Sequence, residues 1–79
     1  GNLLSKTVTL RVVDDTENPL SDAIIEARVL TPAKDGNSLI EYSKVTSTSK
    51  EGGYGTINLK LPANGILEIT INKSGFAKT

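Results

Sequence analysis

Four stretches of this chain alternate apolar and polar residues with a period of two, and each is closed by a cluster of turn-forming residues. In residues 7–13 (TVTLRVV), Val8, Leu10 and Val12 fall on one face and Thr7, Thr9 and Arg11 on the other. Residues 23–30 (AIIEARVL) place Ala23, Ile25, Ala27 and Val29 on one face and Ile24, Glu26, Arg28 and Leu30 opposite. Residues 54–61 set Ile57, Leu59 and Leu61 against Thr56, Asn58 and Lys60, and residues 66–73 set Leu67, Ile69 and Ile71 against Glu68, Thr70 and Asn72. Only an extended strand sorts residues this way, because its side chains point alternately to the two faces of a sheet. The 23–30 segment also contains good helix formers. Its shortness, its β-branched Ile24, Ile25 and Val29, and the Thr31-Pro32 closure favour a strand.

The punctuation between these stretches is equally informative. Residues 14–22 (DDTENPLSD) are polar and contain Pro19, which ends the first strand. Leu20 is the apolar exception and is expected to plug the end of the fold. Asp35-Gly36-Asn37, the 50–53 segment (KEGG), the 62–65 segment (PANG) and Ser74-Gly75 read as turns. Residues 39–49 (LIEYSKVTSTS) form a Ser/Thr-rich third strand region, irregular or at an edge, which can split in two. Strands at short spacing with turns between them predict an all-β sandwich. Residues 1–79 form one domain, with 1–6 expected as a flexible leader. Tyr54 and Phe76 are expected to close opposite ends of the core.

Composition narrows the function classes. The chain holds one Phe, two Tyr and no Trp, so its core must be aliphatic. Nine basic and nine acidic residues cancel, leaving no long-range field for nucleic acid or anionic lipid. The absence of Cys and His removes disulfides, thiolate metal sites, the commonest general base and the commonest zinc ligand. No apolar run is long enough to span a membrane.

The order of motifs resembles that of carboxypeptidase-regulatory-like domains, the transthyretin-like or prealbumin-like sandwiches of Ig type. Val12-Val13-Asp14, Asn18-Pro19-Leu20 and Ala23-x-Ile25 look like their opening. Thr46-x-Thr48, Gly53-Tyr54, Leu59-x-Leu61-Pro62 and the ending Lys73-Ser74-Gly75-Phe76 look like their second half. Asn18 stands where that pattern usually has Gly, and Ser49 or Glu51 where it has an acidic residue. Bacterial Ig-like adhesin domains and collagen-adhesin B-type repeats share much of this text. The resemblance implies a small antiparallel sandwich of about six or seven strands. It also implies a module of a longer bacterial protein, extracellular or at the cell surface, with an outer-membrane TonB-dependent receptor as one possible parent.

Few residues offer chemistry. Asp14, Asp15, Glu17 and Asp22 form an acidic loop that reads as a Ca²⁺ site if its oxygens converge, and as a self-stabilised turn if they do not. Lys6, Asn72 and Glu26 match the residue types of the isopeptide bond found in collagen-adhesin B-type domains, which needs a buried Lys and Asn in contact beside a protonated acid. Tyr42 and Tyr54 are candidates for stacking on a sugar or a partner side chain, or for packing at the core edge. The Ser/Thr cluster at 43–49 has no His to activate it, and Lys44, Lys50 and Lys60 read as guards of exposed strand edges.

These readings predict a non-catalytic structural or interaction module with no cofactor, whose partners are neighbouring domains of its parent or another protein. The alternative is an adhesin-type or carbohydrate-binding domain with a loop-borne site. An apolar patch on the Ile24/Leu30 face or along Leu39-Ile40 favours docking. A concave site lined by Tyr42 or Tyr54 favours a ligand.

Overall fold

A computed structural model describes residues 3–76. Among them are five strands and no α-helix: β1 (Leu4–Arg11), β2 (Ile24–Pro32), β3 (Leu39–Thr48), β4 (Tyr54–Leu61) and β5 (Ile66–Asn72). The strands form a two-stranded sheet, β1-β4, and a three-stranded sheet, β3-β2-β5, with every pair antiparallel. The all-β sandwich follows the alternation, but with five strands among the described residues instead of six or seven. The third region stays one strand because its irregularity is absorbed locally. The register slips between Val29 and Leu30, so that Ser43 pairs with Val29 and Glu41 with Leu30, leaving Tyr42 as the extra residue of a bulge.

The first strand starts earlier than the alternation suggests. Leu4, Ser5 and Lys6 pair with Leu61, Lys60 and Leu59. They are therefore strand and not leader; Gly1 and Asn2 lie outside the described residues. Lys6 breaks the apolar pattern there, which is why sequence parity places the start later.

The core is the inner face of each alternating stretch. Ala23, Ile25, Ala27 and Val29 from the β2 side meet Val12, Ile57 and Leu59, and Leu10, Leu20, Val45, Leu61, Leu67 and Ile71 pack around them. Along β2 small and larger residues alternate, which leaves room for Ile57 and Leu59 of the facing sheet. Leu20 does plug the end of the sandwich, as its position after Pro19 predicts. Truncating one of the fully buried aliphatics to Ala would cost about 2–5 kcal/mol.

The chain leaves its sheet at three of its four connections; only the β2–β3 hairpin stays within one. With β3 lying against β4, the order around the sandwich is β5-β2-β3-β4, with β1 beyond β4. This is a Greek-key arrangement, β5 returning beside β2. The 62–65 turn, closed by Gly65 N–H donating to the Pro62 carbonyl at 3.0 Å, carries the chain back across the Val29 end of β2.

At the other end the crossings are pinned to one another. Val12 N–H donates to the Gly53 carbonyl at 2.7 Å, and Leu20 N–H to the Val12 carbonyl at 2.9 Å. Gly53 is buried with φ +84°, and a Cβ there would run into the Val12 carbonyl. Gly55 is required for a different reason: a Cβ there would occupy the place of Ile25 Cδ1. Gly53→Ala combines a left-handed backbone with a collision against main chain, so a loss of about 2 kcal/mol or more is expected in urea unfolding. Gly36→Ala serves as the control, because its Cβ would meet open space and only the positive φ is penalised.

Candidate contact site

The acidic loop is a self-contained turn. Asp14 Oδ1 accepts from Thr16 N–H, Thr16 Oγ1 and Asn18 N–H, each at 2.9 Å. The main chain closes the same loop through Asp14 N–H to the Asn18 carbonyl and Glu17 N–H to the Asp14 carbonyl. Glu17 and Asp22 take positive φ, 66° and 61°, and Asp15, Glu17 and Asp22 are exposed. No three acidic side chains among the described residues converge on a point where a metal could sit. Asp14, Asp15, Glu17 and Asp22, the residues of the Ca²⁺ reading, are held in a turn in which the Asp14 carboxylate is engaged by its own loop.

The backbone hydrogen bond from Asn18, with further bonds from Thr16, holds the Asp14 carboxyl below its ordinary value of 3.8, against a smaller opposing effect of desolvation.

The two tyrosines lie on different sheets. Tyr54 pairs with Arg11 on the outward face of β4, out of phase with Gly55, Ile57 and Leu59. The Arg11 guanidinium stands 5.4 Å from its ring centroid while Arg11 Nε donates to the Gly52 carbonyl. Tyr42 sits on the β3 bulge. Tyr54 is 54 % exposed and Phe76 48 %, so neither closes the core as expected. Parity decides it for Tyr54, and Phe76 lies beyond the last strand at the same end as the acidic loop.

Lys6, Glu26 and Asn72 are not brought together. Lys6 pairs with Leu59 in the two-stranded sheet, Glu26 pairs with Thr46 and Thr70 on the outer face of the other sheet, and Asn72 pairs with Ile24 at the far end of β5. All three are at least partly exposed, so the isopeptide arrangement is absent. That outer face carries a charge ladder instead. Arg28 on the central strand bonds Glu68 Oε1 on β5 at 2.8 Å and reaches Glu41 Oε1 on β3 at 3.6 Å. The Glu68 contact raises the Arg28 pKa and lowers that of Glu68. Exposed pairs of this kind contribute little to stability, because solvent screens them.

What the fold does create is an open apolar seam between β1 and β5. A cleft of about 460 Å³ is lined by Val12, Val13, Leu20, Ile71 and Phe76, with Asp14 and Asp15 on one lip and Lys73 on the other. A second hollow of about 310 Å³ continues it along Leu10, Arg11, Val12, Val13, Ile69 and Ile71. Neither tyrosine lines it. The seam exists because, among the described residues, β1 is hydrogen-bonded only to β4, and β5 only to β2. At the opposite end Leu39, Ile40 and Ile66 are exposed as well, Leu39 pairing with Pro32 and Ile66 with Leu30.

The residue that sequence reasoning missed is Ser49. It lies at the end of the Ser/Thr cluster, is fully buried, accepts from Ala23 N–H at 2.9 Å and donates to the Leu20 carbonyl at 2.7 Å. Its role is structural, and its signal was parity: Val45, Ser47 and Ser49 share the inward face. No helix among the described residues is long and apolar enough to cross a membrane. Comparison with protein-family models, curated proteins and solved structures found no match.

Two outcomes follow for the acidic loop. Because the folded pKa of Asp14 lies below its unfolded value, its contribution to stability is complete above about pH 4 and is lost as pH falls through the folded value. Asp14→Asn is therefore expected to flatten the acid limb of a stability–pH curve. Melting temperatures measured with Ca²⁺ and with chelator are expected to coincide, since a ligand that binds only the folded state must raise the midpoint.

Proposed function

We propose that this chain is a non-catalytic contact module, a small sandwich that joins or spaces parts of a larger protein through the apolar seam between β1 and β5. The observation that carries the reading is the seam itself. Val13, Ile69 and Phe76 remain exposed around two adjoining, largely apolar hollows that share Val12, Val13 and Ile71. Clustered apolar groups at a cleft mark surfaces that bind other macromolecules. The exposed Leu39 and Ile40 add a second apolar surface at the opposite end.

The order of motifs supports a carboxypeptidase-regulatory-like or prealbumin-like module of Ig type as the kind of domain, and with it a place in a secreted or surface-exposed bacterial protein. A neighbouring domain of the parent or a separate protein is the natural occupant. The adhesin-type or carbohydrate-binding alternative has less behind it: Tyr54 has Arg11 over its ring, and Tyr42 stands apart on the other sheet.

Substitution separates contact from core. If the seam residues serve contact, Val13→Thr and Phe76→Ser will leave unfolding free energy within about 0.5 kcal/mol, as at ordinary surface sites, while lowering binding of a hydrophobic dye. A large loss of stability would show that these side chains belong to the core and would overturn the reading. A glycan array in which the native chain binds and Tyr54→Ala does not would replace it with the carbohydrate alternative.

A further inference from the structure

We infer that the occupant of the seam is a second copy of this chain, joined by antiparallel pairing of β5 with β5; this rests on the contact-module reading and names its partner. Among the described residues four strands have a free edge: β1, β4, β3 and β5. Three of them carry the features that discourage pairing with another chain. β1 holds Lys6 on its core-facing side and Arg11 at its end. β4 holds Lys60. β3 holds Lys44 and the bulge at Tyr42.

β5 (ILEITIN) has no lysine, no proline and no bulge. Its one charge, Glu68, is already neutralised by Arg28 at 2.8 Å. Its inward residues Leu67, Ile69 and Ile71 are all apolar, and Ile69 is 36 % exposed at the border of the seam.

The strand is also complementary to itself. A two-fold axis through Ile69 sets Ile69 against Ile69 and Leu67 against Ile71 on the inward face. On the outward face it sets Glu68 against Thr70, so no like charges stand directly opposite. Such cross-strand apolar pairs are the unit by which sheets gain stability. The joined sheet would run β3-β2-β5-β5-β2-β3. The inward residues of the added strand would lie beneath the free edge of β1, covering Leu10 and Val12 from the side on which the seam is open. The interface is isologous and closes on itself, so it yields a dimer and not a fibre.

The test is sedimentation of the purified chain from micromolar to millimolar concentration, with amide hydrogen exchange followed over the same range. The expected result is a reversible monomer–dimer equilibrium in which protection of Ile66–Asn72 rises with concentration while the edge amides of β3 are unchanged. Ile69→Lys, confirmed as folded by circular dichroism, is expected to abolish the dimer. Thr70→Lys faces solvent beside Glu26 of its own β2 and would meet Glu68 of the other copy twice per dimer; it is expected to tighten association several-fold.

A chain that remains monomeric throughout, or a dimer whose β5 amides gain no protection, overturns the self-pairing. So does an Ile69→Lys chain that dimerises as tightly as the native one. Should Ile69→Lys fail to fold, Thr70→Lys and the exchange profile decide. Failure here leaves the contact-module reading to its own test, because the stability of the Val13 and Phe76 variants does not depend on which partner fills the seam.

Discussion

The hydroxyl of Ser49 holds the sandwich together at the end where the chain changes sheets. It sits with no solvent exposure, accepting from the amide that opens β2 and donating to the carbonyl of Leu20, the residue that plugs the core. Around it the main chain repeats the same stitching. Asp22 N–H donates to the Ser49 carbonyl and Ser49 N–H to the Ala23 carbonyl, each at 2.9 Å. A fold of this size has only a few kilocalories per mole of net stability. Leaving a buried amide and a part-buried carbonyl unpaired would consume a large part of that.

This closed end explains the shape of the rest. With the β1–β2 crossing tied to the β3–β4 crossing through Ser49, Gly53 and Val12, the β1-β4 sheet is held against the β3-β2 side of its partner. β5, arriving by the short 62–65 turn, can pair with β2 but meets no hydrogen-bonding neighbour on its other side among the described residues. The seam between β1 and β5 is thus a consequence of five strands shared unevenly between two sheets. It is apolar because Leu10, Val12, Ile69 and Ile71 have the parity of the core and Val13, Leu20 and Phe76 lie beside them outside the strands. The outer face of the three-stranded sheet is polar because Arg28 and Glu68 have the opposite parity and the bulge at Tyr42 turns Glu41 to the same side.

The parts of the fold governed by period-two alternation were legible in the sequence. The inward faces of β2, β4 and β5 were all readable there, as was the role of Leu20. What was not legible depended on relations between distant segments. The start of β1 was hidden because Lys6 interrupts the pattern, and the bulge at Tyr42 because register is a property of two strands. The structural use of Ser49 was hidden inside a Ser/Thr-rich run that reads equally well as a polar edge. Tyr54 could have been placed on the outside from its phase alone. The candidate site was less legible than the fold: the acidic loop drew notice through composition, whereas the seam arises from strand order.

Urea unfolding of Ser49→Ala tests the central claim most directly. Removing the hydroxyl leaves the buried Ala23 amide and the part-buried Leu20 carbonyl without this partner, so the account predicts a loss of about 2 kcal/mol or more with an unchanged denaturant slope. A change below about 0.5 kcal/mol, the range of an ordinary surface substitution, would contradict it and place the constraint elsewhere in the crossings.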